Sequence, residues 1–211
     1  VLGDWEPLPD ARGKEAAPPV EWPTEPVVRF EAIAGKSQSD IVYGLPTIPR
    51  NHPDYLALRL ANTVLGVFGM MGRIGKTVRD EQGLAYYARS GLDGTLGPGA
   101  WTATAGVAPD KVEQAVASIR AEWIRLGEEL VSEEELNDSK TLTTGSLPLR
   151  LETNGGVSRS LLDILYYDLG LDYLQRFDKL VNAITPEEIR RVSQSYFDPD
   201  RAVLAVAGPP A

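Results

Sequence analysis

The chain has 211 residues, 43% hydrophobic and 24% charged, with a formal net charge of -9, the make-up of an ordinary globular domain with a sizeable core. Without a cluster of Lys and Arg, that acidity argues against a nucleic acid partner, because neutralising phosphates needs grouped cations. Cysteine is absent, His52 is the only histidine and no apolar run approaches the length of a bilayer, which excludes thiolate metal sites and disulfides and leaves no membrane span.

The first 26 residues carry prolines at positions 7, 9, 18, 19, 23 and 26, and read as an extended linker rather than a packed element. The opening Val-Leu-Gly-Asp-Trp has neither an initiator Met nor a signal-like segment, so we expect a piece of a longer polypeptide. A domain over 27–211 is expected to follow, and the compartment stays open between cytoplasm and periplasm. Val27 to Ile33 and Ser39 to Leu45 are β-rich runs separated by Ala34-Gly-Lys-Ser-Gln38, which predicts two strands. His52 sits in the polar, Pro-flanked turn Pro49-Arg-Asn-His-Pro53 and is expected to be an exposed loop residue. A zinc hydrolase centre needs two or three imidazoles, so no metal site is expected in this chain. Tyr55 to Leu65 then places Leu56, Leu60 and Val64 at helical spacing.

Two further strands are predicted at Ala85 to Leu92 and Trp101 to Val107, joined by a Gly- and Pro-containing turn. Val112, Val116, Ile119, Trp123, Leu126 and Leu130 form an amphipathic stripe. Ser132-Glu-Glu-Glu135 and Thr185-Pro-Glu-Glu188 have the pattern of capping boxes, and helices are expected over 133–147, 154–168, 171–183 and 186–196. A short apolar strand, Arg201 to Gly208, closes the chain. This order, ββααββ followed by helices and a last strand, predicts an α+β fold whose largely antiparallel sheet is covered on one face by helices.

One stretch, Gly69-Met-Met-Gly-Arg-Ile-Gly-Lys-Thr77, ends in the Gly-Lys-Thr of a phosphate-binding loop. That loop needs a glycine five residues before Gly75, where this chain has Met70. It also needs a preceding buried strand, and the preceding residues here have a helical period. The nucleotide reading is set aside. Gly66, Gly69, Gly72 and Gly75 recur at every third residue, which loosens the backbone or lets another segment approach closely.

The wider window from Leu65 to Tyr86, with Leu65-Gly66, Arg73-Ile74, Val78-Arg79 and Gly83-Leu-Ala-Tyr86, resembles the C-terminal, non-catalytic domain of the M16 pitrilysin/insulinase zinc peptidases and mitochondrial processing peptidase subunits. The resemblance covers about residues 25–211. Departures are Val67-Phe68 in place of glycines, Met71-Gly72 in place of a small polar pair, and Gly75 where an aromatic residue is common. No His-x-x-Glu-His is present, so the likeness is to the inactive half, and catalytic and metal residues are expected to be none. The resemblance implies that Arg79 and Tyr86 bind substrate, reaching a peptide held by the other half, with Gly66, Gly69 and Gly72 as a glycine-rich loop. It implies as partners a catalytic M16 half, on the same polypeptide or as a separate subunit in a homo- or heterodimer, together with a peptide substrate, and zinc in that partner as cofactor. The alternative is a scaffold of the same fold with no part in proteolysis.

Overall fold

The computed structural model describes residues 20–67 and 72–210. Five strands form one sheet: β1 (Val27–Ala32), β2 (Ser39–Pro46), β3 (Ala85–Leu92), β4 (Ala100–Val107) and β5 (Val203–Gly208). Their spatial order is β1-β5-β2-β4-β3. The β1–β5 pair is parallel and the β2–β5, β2–β4 and β3–β4 pairs are antiparallel. The α+β, largely antiparallel fold expected above is therefore the one adopted, and the last strand of the chain lies between β1 and β2.

Period-two patterning decides which face is buried. Ile41, Tyr43 and Leu45 of β2 and Trp101, Ala103, Ala105 and Val107 of β4 point to one side and are all buried. Intervening residues such as Val42, Thr102 and Thr104 lie on the opposite, more open face. The helices pack on the first side. They are α1 (Tyr55–Asn62), α2 (Val112–Glu128), α3 (Glu133–Leu151), α4 (Asn154–Tyr166), α5 (Tyr173–Asn182) and α6 (Pro186–Tyr196). Between sheet and helices, Trp123 stacks on Phe197 at 4.2 Å between centroids and meets Trp101 edge-on at 4.8 Å, geometries that favour the aromatic quadrupole.

Both capping boxes form. Ser132 and Glu135, like Thr185 and Glu188, satisfy each other's backbone N–H groups at the starts of α3 and α6. α3 runs four residues past its expected end at 147, through Pro148. The proline sits one turn from the terminus on an exposed face, so its missing N–H and ring clash distort a helix end and not a packed interior.

The predicted helix from Tyr55 is longer than α1 alone, because a π-helical turn, Thr63–Val67, continues it. A second wide-turn helix, Gly75–Glu81, follows the glycine-rich stretch. Gly69, part of the expected loop, lies outside the described residues, as do 1–19 of the predicted linker. Where the chain enters, Arg201 donates through Nε to the Pro23 carbonyl at 2.5 Å, and its guanidinium stands 5.9 Å from the Trp22 ring centre. Residues 20–26 therefore lie against the end of the sheet.

Candidate functional site

The Gly-Lys-Thr tripeptide is helical. Lys76 is exposed and 4.0 Å from Glu81, and Thr77 donates through Oγ1 to Glu122 at 2.7 Å. None of this geometry cradles a phosphate, which needs a run of free backbone N–H groups at a helix start.

Gly66 and Gly72 are the closest backbone neighbours in this region. A Cβ on Gly66 would stand 2.6 Å from the Ser90 nitrogen, and one on Gly72 would stand 2.7 Å from the Gly66 Cα. The π turn therefore presses directly onto β3, and the two glycines let three backbone segments meet. Ser90 strengthens that seam by donating through Oγ to the Asn62 carbonyl at 3.1 Å. Here the glycines serve close packing.

Arg73, just after the glycine-rich stretch, is 7% exposed. It holds Glu135 in a two-pronged ion pair of 2.7 and 2.9 Å. The Arg73 guanidinium brings the Glu135 carboxyl down to about 2, against the opposing effect of burial. Arg73 is therefore a clamp between the glycine-rich segment and α3.

Arg79 lies in the last turn of the helix Gly75–Glu81. Gly83, at φ 62°, ends that helix in the left-handed region. Its N–H bonds the Arg79 carbonyl at 3.0 Å, and the Leu84 N–H bonds the Val78 carbonyl at 2.9 Å. Leu84, Ala85 and Val78 are buried together there, so the turn is anchored by both hydrogen bonds and apolar contact. The guanidinium of Arg79 has no ion pair or hydrogen bond among the described residues, and Glu81 turns to Lys76 instead.

Tyr86 follows at a break in the sheet. Ala85 pairs with Val107 and Tyr87 with the adjacent Gly106, so the one residue between them on β3 has no partner on β4, a β-bulge centred on Tyr86. A bulge re-aims the unpaired side chain, and Tyr86 is 80% exposed. Its neighbour Tyr87 behaves oppositely, lying over Gly106 and donating to Asp40 at 3.0 Å. Two adjacent tyrosines thus have different tasks, one holding the sheet and one presented to solvent. Chemically, a guanidinium and a phenol on either side of the Gly83 turn offer hydrogen-bond donors to a carbonyl or carboxylate outside the domain.

The family model for the peptidase M16 inactive domain matches residues 1–143. The chain belongs to that family. An uncharacterized zinc protease of Streptomyces coelicolor is 29% identical to this M16 domain over 189 residues, covering 86% of the chain and 39% of the relative. The uncharacterized zinc protease YmxG of Bacillus subtilis is 26% identical over 210 residues, covering 98% of the chain and 49% of the relative. The chain thus spans half or less of the length of these curated relatives. Among solved structures, the crystal structure of a peptidase M16 inactive domain from Pseudomonas fluorescens superposes with a TM-score of 0.81 at 24% identity, covering 91% of this chain and 46% of that one. A protease from Helicobacter pylori superposes with a TM-score of 0.79 at 20% identity, covering 90% and 45%. At these identities the likeness is one of fold.

Among the described residues no three His, Cys, Asp or Glu side chains converge on a point that could hold a metal ion. His52 is committed elsewhere. It is half-buried rather than exposed, accepts through Nδ1 from the Asp54 N–H at 3.1 Å and meets Tyr196 edge-on. Among the described residues, no helix is long and apolar enough to cross a membrane.

Sequence reasoning missed the group around Asp54. Arg191 donates to both of its carboxylate oxygens at 2.6 and 3.0 Å, and Tyr196 donates at 2.7 Å. These bonds bring the Asp54 carboxyl down to about 2, while burial and the same carboxylate push the Tyr196 phenol up to about 12. The only signal was Asp54 at the helix start. Its partners lie more than 130 residues away, beyond any local pattern.

Proposed function

We propose that this domain is the non-catalytic half of an M16-type zinc peptidase, enclosing a peptide and orienting it with Arg79 and Tyr86. Zinc and the His-x-x-Glu-His motif would be supplied by a partner half, on the same polypeptide or a separate subunit, for which peptide is the substrate. The observation that carries the reading is the bulge at Tyr86. It turns an 80% exposed phenol out of an otherwise regular edge strand, seven residues after a guanidinium that no carboxylate holds among the described residues. An exposed phenol and a half-buried guanidinium with no ion pair or hydrogen bond among the described residues are natural contacts for a ligand and serve no purpose in a scaffold. Arg79 and Tyr86 would donate to backbone carbonyls of an extended peptide, fixing its register while the partner cleaves it.

The test pairs this chain with its zinc-bearing half and follows peptide cleavage. Arg79→Ala and Tyr86→Phe are expected to lower kcat/KM about 100- to 1000-fold each, on the order of 2.7–4 kcal/mol for a lost donor to a developing oxyanion. The melting temperature should stay close to that of wild type, because neither side chain forms an ion pair or hydrogen bond among the described residues. If both variants cleave at the wild-type rate in an intact assembly, the orienting role is wrong. An assembly that forms but cleaves no peptide would favour the scaffold.

A further inference from the structure

Three guanidinium groups converge in a chain whose net charge is -9, and among the described residues no carboxylate forms an ion pair with them. Arg50 leaves the loop before α1, Arg59 lies on α1, and Arg150 lies in the last turn of α3. All three line one small inner cavity between α1, α3 and α4, and Arg59 and Arg150 also line an adjoining open cavity of about 600 Å³. Arg50 is occupied by neutral groups. Its guanidinium covers the Tyr55 ring at 4.5 Å and donates to the Tyr173 hydroxyl at 2.7 Å, neither of which cancels its charge. Asp163 borders the inner cavity but forms no ion pair, and neither Arg59 nor Arg150 has an ion pair or side-chain hydrogen bond among the described residues. Burial, and then the nearby charge of Arg50, pull the Arg59 pKa below its ordinary value.

We propose that Arg59 and Arg150, backed by Arg50, form an anion subsite that takes a carboxylate of a bound peptide. The peptide assignment rests on the proposed function. Like charges gathered with one unpaired carboxylate, Asp163, beside three guanidinium groups repel, and a ligand anion relieves that repulsion. Arginine forks match the two oxygens of a carboxylate. Arg59 is half-buried and held by the α1 backbone, whereas Arg150 is exposed at the mouth, an arrangement of fixed wall and closing arm. The wider cavity is also lined by Ser90, Gly91 and Leu92, which lie on β3, the strand that displays Tyr86. At about 3.3 Å per residue, those positions are roughly 13–20 Å from Tyr86. An extended peptide engaged at Tyr86 would bring an acidic side chain about four to six residues away over the arginines. The subsite would therefore give the domain a preference for acidic peptides, set at a distance from the orienting pair.

Calorimetry on this chain with three probes tests the proposal: an acetylated, amidated octapeptide with one central Glu, its Gln twin, and inorganic phosphate. Wild type is expected to bind the Glu peptide about ten-fold or more tightly than the Gln twin at low salt. Arg59→Gln and Arg150→Gln should each bring that ratio close to one. Because Arg150 is exposed, its variant stays folded and keeps the test valid even if Arg59→Gln unfolds. Equal binding of the twins by wild type, or a ratio that survives in the Arg150 variant, would overturn the subsite. Saturation by phosphate with no binding of either peptide would overturn the peptide assignment. Arg79→Ala and Tyr86→Phe separate this inference from the reading beneath it, because they should weaken both twins alike. If they weaken neither while the Glu preference persists, the orienting pair fails and the subsite stands.

Discussion

At the scale of single residues, the glycines show how one residue type is asked for opposite things. Gly66 is closed in by backbone, with Ser90 N–H 2.6 Å from where a Cβ would sit. A methyl group there must push β3 away from the π turn, and Gly66→Ala is expected to cost about 1–3 kcal/mol. Gly145 stands inside α3 with nothing within 4 Å of its missing Cβ. Gly145→Ala should stabilise by about 0.5–1 kcal/mol, because it only restricts the unfolded chain and favours helix. Urea titrations of the two variants check both signs. If Gly66→Ala melts like wild type, the close approach of turn and strand is not needed for stability. Tyr86 and Tyr87 teach the same lesson, since identical side chains side by side are divided between solvent and Asp40 by a single unpaired residue in the ladder.

Between elements, polar clamps decide how the helices seat on one another. Asp54, at the start of α1, takes a two-pronged bond from Arg191 of α6 and another from Tyr196. Its folded pKa of about 2 is below the ordinary 3.8, so the folded state binds this proton more weakly than the unfolded chain. The stability it contributes is complete above about pH 4 and is lost as pH falls towards 2. After allowance for solvent around a partly exposed pair, the loss is on the order of 1–2 kcal/mol. Thermal melts between pH 6 and 2.5 should show that loss in wild type and a shallower one in Asp54→Asn. An Asp54→Asn variant with the full wild-type slope would remove Asp54 from the account. The Arg73–Glu135 pair plays the corresponding role between the glycine-rich segment and α3, which accounts for a buried arginine directly after that stretch.

For the whole molecule, one contiguous buried cluster runs from Ile41 on the sheet through Trp101 and Trp123 to Phe177 and Ile189 on the helices. A core without an internal seam should unfold in one step. We expect tryptophan fluorescence and far-ultraviolet dichroism to give coincident denaturant midpoints, and two separated midpoints would mean that the helical half folds apart from the sheet. The chain spans 39% and 49% of the curated zinc proteases it matches, and among the described residues neither the half-buried Arg79 nor the exposed Tyr86 forms a side-chain ion pair or hydrogen bond. Much of the fold was legible in advance, because it is written in local periods. Alternation marked the strands, the 3.6-residue stripe marked α2, and Ser132 and Thr185 marked the starts of α3 and α6. The motif ending in Gly83-Leu-Ala-Tyr86 singled out Arg79 and Tyr86 as candidates, and the exposure of Tyr86 was not legible in it. A bulge exists only when β3 is set against β4, so the partner strand determines which tyrosine points outward. Likewise the amino-acid sequence by itself settled that no phosphate loop could form at Met70, since a missing glycine is a local fact. Only the tertiary structure brought Arg50, Arg59 and Arg150 to one cavity and Asp54 to Arg191, because the energies of desolvation and charge depend on neighbours that the chain order keeps far apart.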